Sequence, residues 1–208
     1  MGFGIAFLGY CFLLLHSAGF GLLAAPFLAY GFFLASRLEK RFLYASVSAL
    51  FMLPRGLFVL LDLFLPVLGV DVNVAKEFPL LNLGTYLLFF IAWFFMLLYQ
   101  CTAVRTIAVA NDHTKLKNSA NRQLYFSSLF LALAITMVLC GELVDGRVQI
   151  FAGIAYYVVV LMNMFFTHTC FVLITSEAQY EKDKEMVAEH NRRVMERRAK
   201  DKERSKKK

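Results

Sequence analysis

Two charged side chains, Arg55 and Asp62, lie inside an apolar stretch that runs from Phe42 to Gly69. The stretch is long enough to cross a bilayer, and insertion scales put the cost of an arginine at the bilayer centre at ~2.5–3.5 kcal/mol. A charge kept there typically marks a functional site, because it needs an acid, an anion or a free carbonyl as its partner. Pro54, next to Arg55, frees a carbonyl one turn earlier. Arg55 and Asp62 are therefore the first candidates for a functional site.

Depth along the helix predicts which side chains can reach Arg55. Counted from the basic residues before the stretch, Arg55 lies roughly 18–20 Å inside, close to the midplane, and Asn163 reaches a similar depth. Asp62 is on about the same helix face, about 10 Å further along the axis. We predict an intramembrane polar site formed by Arg55, Asp62 and Asn163. Three interpretations are open: Arg55 is satisfied by these residues and by freed carbonyls, it meets an acid on a partner helix, or it binds an anionic solute or lipid headgroup.

A second set of polar residues is expected nearer the outer face. Its members come from separate segments and share only their predicted depth: His16, Asn82, Glu142 and Asp145. Together with Asp62 they could hold a divalent metal or relay protons, but no local spacing of the HExxH type supports a metal site. We therefore predict no bound metal and no cofactor. The sequence also contains no GxSxG, Walker A or GxGxxG motif, so we assign no catalytic residue.

The segments that would position these side chains are long apolar runs. The chain has 208 residues, 59% of them hydrophobic, and runs of about 18 or more apolar residues are typical of transmembrane helices. We predict an all-α integral membrane protein, a bundle of five transmembrane helices within residues 1–176, followed by a charged cytoplasmic helical tail over residues 177–208. The predicted spans are about 10–36, 42–69, 79–104, 124–141 and 148–176.

The charges of the loops predict an orientation. Loops 37–41 and 105–123 and the tail are basic, whereas the two loops between them in sequence carry a slight acidic excess. The positive-inside rule places the basic segments in the cytoplasm. If the first apolar region crosses once, the N-terminus lies on the opposite side from the C-terminus.

Small residues at i, i+4 spacing predict the faces on which helices pack closely. Two such faces occur, one in the first span and one in the fourth. Their members are Ser17, Gly21, Ala25 and Ala29 in the first, and Ser128, Ala132, Thr136 and Cys140 in the second. We expect these two spans to make the tightest contacts of the bundle.

The tail ends in a strongly basic segment over residues 192–208. A polybasic segment beside a membrane favours anionic lipid headgroups. A nucleic-acid partner is disfavoured because no aromatic side chains interleave the charges. An equally open interpretation is a solvated charged helix without a ligand.

Three functions follow from these features. The first is a non-enzymatic subunit, adaptor or regulator of a membrane complex, which assembles with a partner membrane protein through the small-residue faces and Arg55. The second is a small transporter or channel for an anionic solute that uses Arg55, with Asp62 and Asn163 along the path. The third is a membrane-embedded enzyme that uses the outer polar residues.

Overall fold

The structure is a computed structural model that describes residues 2–69, 74–140 and 145–174. Within these ranges the chain is helical and contains no strand. The helices are α1 (Gly2–Leu14), α2 (Gly21–Ala35), α3 (Arg41–Leu50), α4 (Leu53–Val67), α5 (Val74–Glu77), α6 (Pro79–Ala110), α7 (Thr114–Leu139) and α8 (Gly146–Ile174). The predicted tail, 177–208, lies outside the described residues. The chain divides into two units, 1–170 and 171–208, and only the end of α8 is described in the second.

The prediction of an all-helical chain is confirmed for these residues, and four helical segments are long and apolar enough to cross a membrane. They run over Arg41–Val67, Pro79–Ala110, Thr114–Leu139 and Gly146–Ile174. At ~1.5 Å per residue, the shortest of them measures about 39 Å, more than a ~30 Å hydrocarbon core requires.

The first apolar region differs from the single span expected over 10–36. The helix stops at Leu14, a 3-10 turn follows over His16–Ala18, and Gly19 takes a left-handed φ of 84° before α2 begins. That backbone conformation favours glycine, which has no Cβ to clash. The region is therefore a helical hairpin with arms of 13 and 15 residues.

Glycines let the two arms of this hairpin approach closely. A Cβ added at Gly31 would lie 2.5 Å from the backbone nitrogen of Ala6, and one added at Gly9 would lie 2.8 Å from the backbone nitrogen of Leu28. Gly2 similarly packs against Gly31. Because α1 runs antiparallel to α2, the start of α1 lies beside the C-terminal end of α2. Loop 36–40 begins at that same end.

The stretch around Arg55 is one apolar segment with a break between α3 and α4. Pro54 cannot donate to the carbonyl of Leu50, and its ring would clash with that group in a regular helix. Phe51 and Met52 instead donate their backbone N–H groups to carbonyls three residues earlier, at distances of 3.2 and 3.1 Å. The break lies next to the hairpin, since a Cβ at Gly56 would lie 2.5 Å from the backbone nitrogen of Leu22.

Helix α6 is central to the packing and contacts α3, α4, α5 and α7. Its Trp93 is fully buried, and the indole ring packs edge-on against Phe130 of α7 and Tyr156 of α8. Helix α6 therefore presents side chains toward the break beside Arg55 as well as toward α7 and α8.

Candidate functional site

Arg55 lies at the start of α4 and is 6% exposed. Its Nη1 donates a hydrogen bond of 2.7 Å to Oδ1 of Asn82, which is on α6. Its guanidinium carbon lies 3.4 Å from the centroid of the Tyr86 ring and 5.4 Å from that of Phe58. The Nε atom is buried without a hydrogen-bond partner among the described residues. The partners of Arg55 are thus neutral groups of its own chain.

The free energies of these neutral contacts are comparable with the cost of burying the charge. A desolvated cation–π contact contributes about 2 kcal/mol, and a hydrogen bond to a charged group contributes about 1.5–3 kcal/mol. Their sum is comparable with the ~2.5–3.5 kcal/mol that an arginine costs at the centre of a bilayer. No acid lies within 4.0 Å of Arg55 in the described parts of the chain, so these neutral groups are its direct partners.

Within the described residues, no hydrogen bond or ion pair joins the predicted trio of Arg55, Asp62 and Asn163. Asp62 accepts a hydrogen bond of 3.2 Å from the backbone N–H of Ala75, at the start of α5. Asn163 is fully buried in α8, where its Nδ2 donates to the carbonyl of Val159 at 2.8 Å. Each of the three side chains thus has its own partners.

The residues predicted for the outer cluster have different hydrogen-bond partners. Asn82 belongs with Arg55, whereas the carboxylate of Asp145 accepts the backbone N–H of Arg147 at 3.1 Å in its own loop. Glu142 lies outside the described residues. Across 2–69, 74–140 and 145–174, no group of three or more His, Cys, Asp or Glu side chains is placed to hold a metal ion.

His16 lies in the turn of the hairpin. Its ring stacks on Phe89 with centroids 5.0 Å apart, and its Nδ1 edge packs against Gly21, where a Cβ would collide with it. Nδ1 is buried without a hydrogen-bond partner among the described residues. His16 also lines the neighbouring cavity.

That cavity has a volume of about 360 Å³ and opens between the hairpin turn, α6, α7 and α8. A second cavity of about 350 Å³ shares Tyr86, Met137 and Val138 with it and is also lined by Asn82. Both volumes fall in the range of small-molecule sites, ~300–1,000 Å³. The first cavity is lined mainly by aromatic and aliphatic side chains: His16, Ser17, Tyr86, Phe89, Phe90, Phe130, Ala134, Met137, Val138, Ala152, Gly153, Tyr156 and Tyr157.

Tyr86 connects the buried charge with these cavities. The face of its ring contacts the guanidinium of Arg55, and the residue also lines both cavities. Sequence reasoning did not assign Tyr86. The available signal was its position four residues after Asn82 on one helix, which places the two side chains on the same face.

A separate chain of neutral hydrogen bonds crosses the core. Tyr10 Oη donates to Gln100 Oε1 at 2.7 Å, and Gln100 Nε2 donates to Thr167 Oγ1 at 2.9 Å. Thr167 in turn donates to the carbonyl of Asn163 at 2.9 Å, and Asn163 Nδ2 lies 3.4 Å from Ser127 Oγ. All five residues are at most 1% exposed. This buried polar chain joins α1, α6, α7 and α8, and the sequence analysis did not predict it.

The two small-residue faces have different surroundings. In α2, Ala25 and Ala29 are buried, and the carbonyl of Ala29 accepts a hydrogen bond from Ser46 of α3 at 2.7 Å. In α7, by contrast, Ala132 and Thr136 are exposed, as is Cys140 just after the helix. The face of α2 is therefore used within the chain, and the face of α7 is open.

The described residues thus contain a buried cation with neutral partners, an adjoining aromatic cavity and an open helix face. A buried cation beside a cavity can attract an anionic group, and an open small-residue face allows close approach of another helix. The chain matches no protein-family model, no curated protein and no solved structure.

Proposed function

We propose that this chain is a multi-pass integral membrane protein and that it acts as a non-enzymatic subunit, adaptor or regulator of a membrane complex. Four apolar helical segments of 26 to 32 residues support the membrane location. In this proposal a partner helix docks on the small-residue face of α7, and the basic tail contacts anionic headgroups. Arg55 plays a structural part, since its partners lie within the chain.

The observation that carries this proposal is the exposure of the α7 face. Small residues at i, i+4 spacing let two helix backbones approach closely inside a bilayer, where van der Waals packing drives association. On the corresponding face of α2, Ala25 and Ala29 are buried within the chain, so of these two described faces the one on α7 is open to a partner.

The orientation that we propose differs from the sequence-based expectation at the N-terminus. With a hairpin in place of a single crossing, the N-terminus lies on the side of loop 36–40. The positive-inside rule assigns that loop to the cytoplasm. The N-terminus and the tail then face the same compartment, and the hairpin turn points toward the outer side.

A matched pair of threonines tests the docking face. Thr136 in α7 and Thr169 in α8 are both exposed, and each donates to the carbonyl four residues earlier at 2.9 Å. With a photo-crosslinker on Cys140 in a Cys11→Ser background, Thr136→Leu should abolish the crosslinked product in native membranes. Thr169→Leu should leave it unchanged. An equal yield from all three proteins would rule out docking on α7.

A second function, transport or passage of an anionic solute, is favoured by the cavities behind Tyr86. Because Arg55 is fixed beside them, its field attracts anions into this region. A water-soluble thiol reagent should then label Met137→Cys and Gly153→Cys but leave Asn163→Cys unlabelled. In liposomes, Arg55→Leu should abolish chloride efflux while Arg55→Lys retains part of it. Sealed cysteines at 137 and 153, or efflux that does not change in Arg55→Leu, would exclude this function.

A further inference from the structure

A third cavity, of about 280 Å³, lies between α3 and α6, away from Arg55. It is lined by Arg41, Thr102, Arg105, Thr106 and Val109. Two of these five side chains are guanidinium groups, which carry a permanent positive charge. In the proposed orientation this cavity is at the cytoplasmic end of both helices.

The threonines of this cavity hold one arginine in place and do not themselves offer donors. Thr106 Oγ1 accepts a hydrogen bond of 2.5 Å from Arg41 Nη1, and its own hydroxyl donates to the carbonyl of Thr102 at 3.0 Å. Thr102 likewise donates to the carbonyl of Leu98 at 2.7 Å. The donors left for a ligand are therefore the remaining N–H groups of Arg41 and those of Arg105.

The charge around the cavity is not balanced within the described residues. Glu39 lies 3.9 Å from Arg41 Nε, at the limit of an ion pair, and Arg105 has no acid within 4.0 Å in the same ranges. Arg37 and Lys40 add further positive charge in the preceding loop. Two guanidinium groups on one cavity repel each other, and an anion between them relieves this repulsion. Their planar forks match the oxygen geometry of a phosphate.

The surroundings of the cavity favour a lipid as the source of that phosphate. Tyr44 of α3 and Tyr99 of α6 lie about one turn deeper along each helix, with ring centroids 5.4 Å apart. Amphipathic rings of this kind are typical of the headgroup level of a membrane. Beyond them, Val47 and Phe95 are exposed and apolar, 48% and 41% respectively. A headgroup in the cavity would thus have its acyl chains alongside apolar side chains.

We propose that Arg41 and Arg105 bind the phosphate of an anionic phospholipid in this cavity. Its residues, on α3 and α6, differ from those of the basic tail over 177–208 and from those around Arg55. It rests on the membrane location proposed above, which extraction of the protein by detergent but not by carbonate tests independently. Basic pockets between helices on the cytoplasmic side are a recognised means of headgroup binding.

The test is a lipid titration of the full-length protein in detergent, read out as a rise in thermal unfolding temperature and as bound lipid in native mass spectrometry. The probes are short-chain phosphatidylglycerol, phosphatidylcholine and inorganic phosphate. Phosphatidylglycerol should bind, and the Arg41→Gln/Arg105→Gln variant should weaken that binding about tenfold or more, consistent with about 1 kcal/mol per arginine at a membrane surface. The charge-matched Lys115→Gln/Arg122→Gln control should bind as the unaltered protein does.

Val109→Trp provides a second variant, which keeps both charges and adds a bulky ring to the lining of the cavity. It should reduce phosphatidylglycerol binding even if the double arginine variant fails to fold. An equal loss in the charge-matched control would mean non-specific attraction and overturn the proposal. Binding of phosphatidylcholine with the same affinity would also overturn it. An arginine-dependent response to inorganic phosphate alone would reassign the site to a soluble phosphate.

Discussion

The guanidinium carbon of Arg55 lies 3.4 Å from the centroid of the Tyr86 ring, so a buried cation rests on a neutral aromatic face. The negative face of the ring attracts the cation, and this attraction is strongest where water is excluded. The same tyrosine lines two cavities. The stability of the buried charge and the shape of the candidate site therefore depend on one side chain.

Two substitutions of Tyr86 should distinguish the contribution of its aromatic face to stability from that of its hydroxyl. Tyr86→Leu removes the ring beneath Arg55 and should lower the free energy of unfolding by about 2 kcal/mol. Tyr86→Phe retains the ring and should cost much less. Thermal unfolding in detergent measures both values. If the two variants are equally destabilised, the hydroxyl and not the ring supports Arg55.

Loss of the Asn82 amide acceptor should lower the free energy of unfolding more than loss of the Asp62 carboxylate does. Asn82→Ala leaves Arg55 Nη1 buried without its 2.7 Å acceptor, and we expect a loss of about 2 kcal/mol. Asp62→Asn should change stability by less than half of that, because Asp62 bonds to Ala75. In an Arg55→Met background the cost of Asn82→Ala should shrink. A larger effect at Asp62 would mean that the carboxylate holds Arg55.

Two glycine-to-alanine substitutions should have opposite effects on the helices. A Cβ at Gly31 would lie 2.5 Å from the backbone of Ala6, so Gly31→Ala should push the arms of the hairpin apart and destabilise the protein by more than 1 kcal/mol. A Cβ added at Gly84 would have no neighbour within 4 Å among the residues that the structure describes, so Gly84→Ala should be neutral or stabilise α6 by up to ~1 kcal/mol. Unfolding temperatures of the two variants measure this contrast. A Gly31→Ala protein as stable as Gly84→Ala would contradict the close hairpin.

The hairpin also predicts where the two ends of the chain are found. In sealed membrane vesicles with the cytoplasmic face outward, added protease should cleave tags at the N-terminus and at the C-terminus. A tag inserted after Gly69, in the acidic loop, should be cleaved only after permeabilisation. Protection of the N-terminal tag in sealed vesicles would restore the single crossing of the first apolar region.

The long helices could be predicted from the sequence, whereas the partners of Arg55 could not. Hydropathy and length indicate where apolar helices run, and the four described segments that are long enough to cross a membrane overlap the last four predicted ranges. Counting residues gives depth along a helix but no rotation about its axis or lateral position. Depth alone therefore groups Asn163 with Arg55, although the partners of Asn163 are Val159 and Ser127. By the same measure Asn82, which contacts Arg55, falls in the outer group.

The sequence of the first apolar region is compatible with two structures, a kinked helix and a helical hairpin. Gly19 and Gly21 allow a bend, but the same residues can continue a helix at modest cost. What distinguishes a kink from a reversal is the packing of Gly2, Gly9 and Gly31 against the opposite arm. Such packing depends on contacts between distant residues, and periodicity within one helix does not report it.

The buried polar chain has a consequence for the order in which the protein is made. The Tyr10 hydroxyl bonds to Gln100, ninety residues later in the chain, and Gln100 then bonds to Thr167. When the N-terminal hairpin leaves the ribosome, neither acceptor has yet been synthesised. Its tyrosine must therefore be satisfied temporarily by water, by a lipid headgroup or by an insertion factor. The bond between Tyr10 and Gln100 can therefore form only after α6 has been synthesised, so α1 completes its polar contacts later than α2, its packing partner, is made.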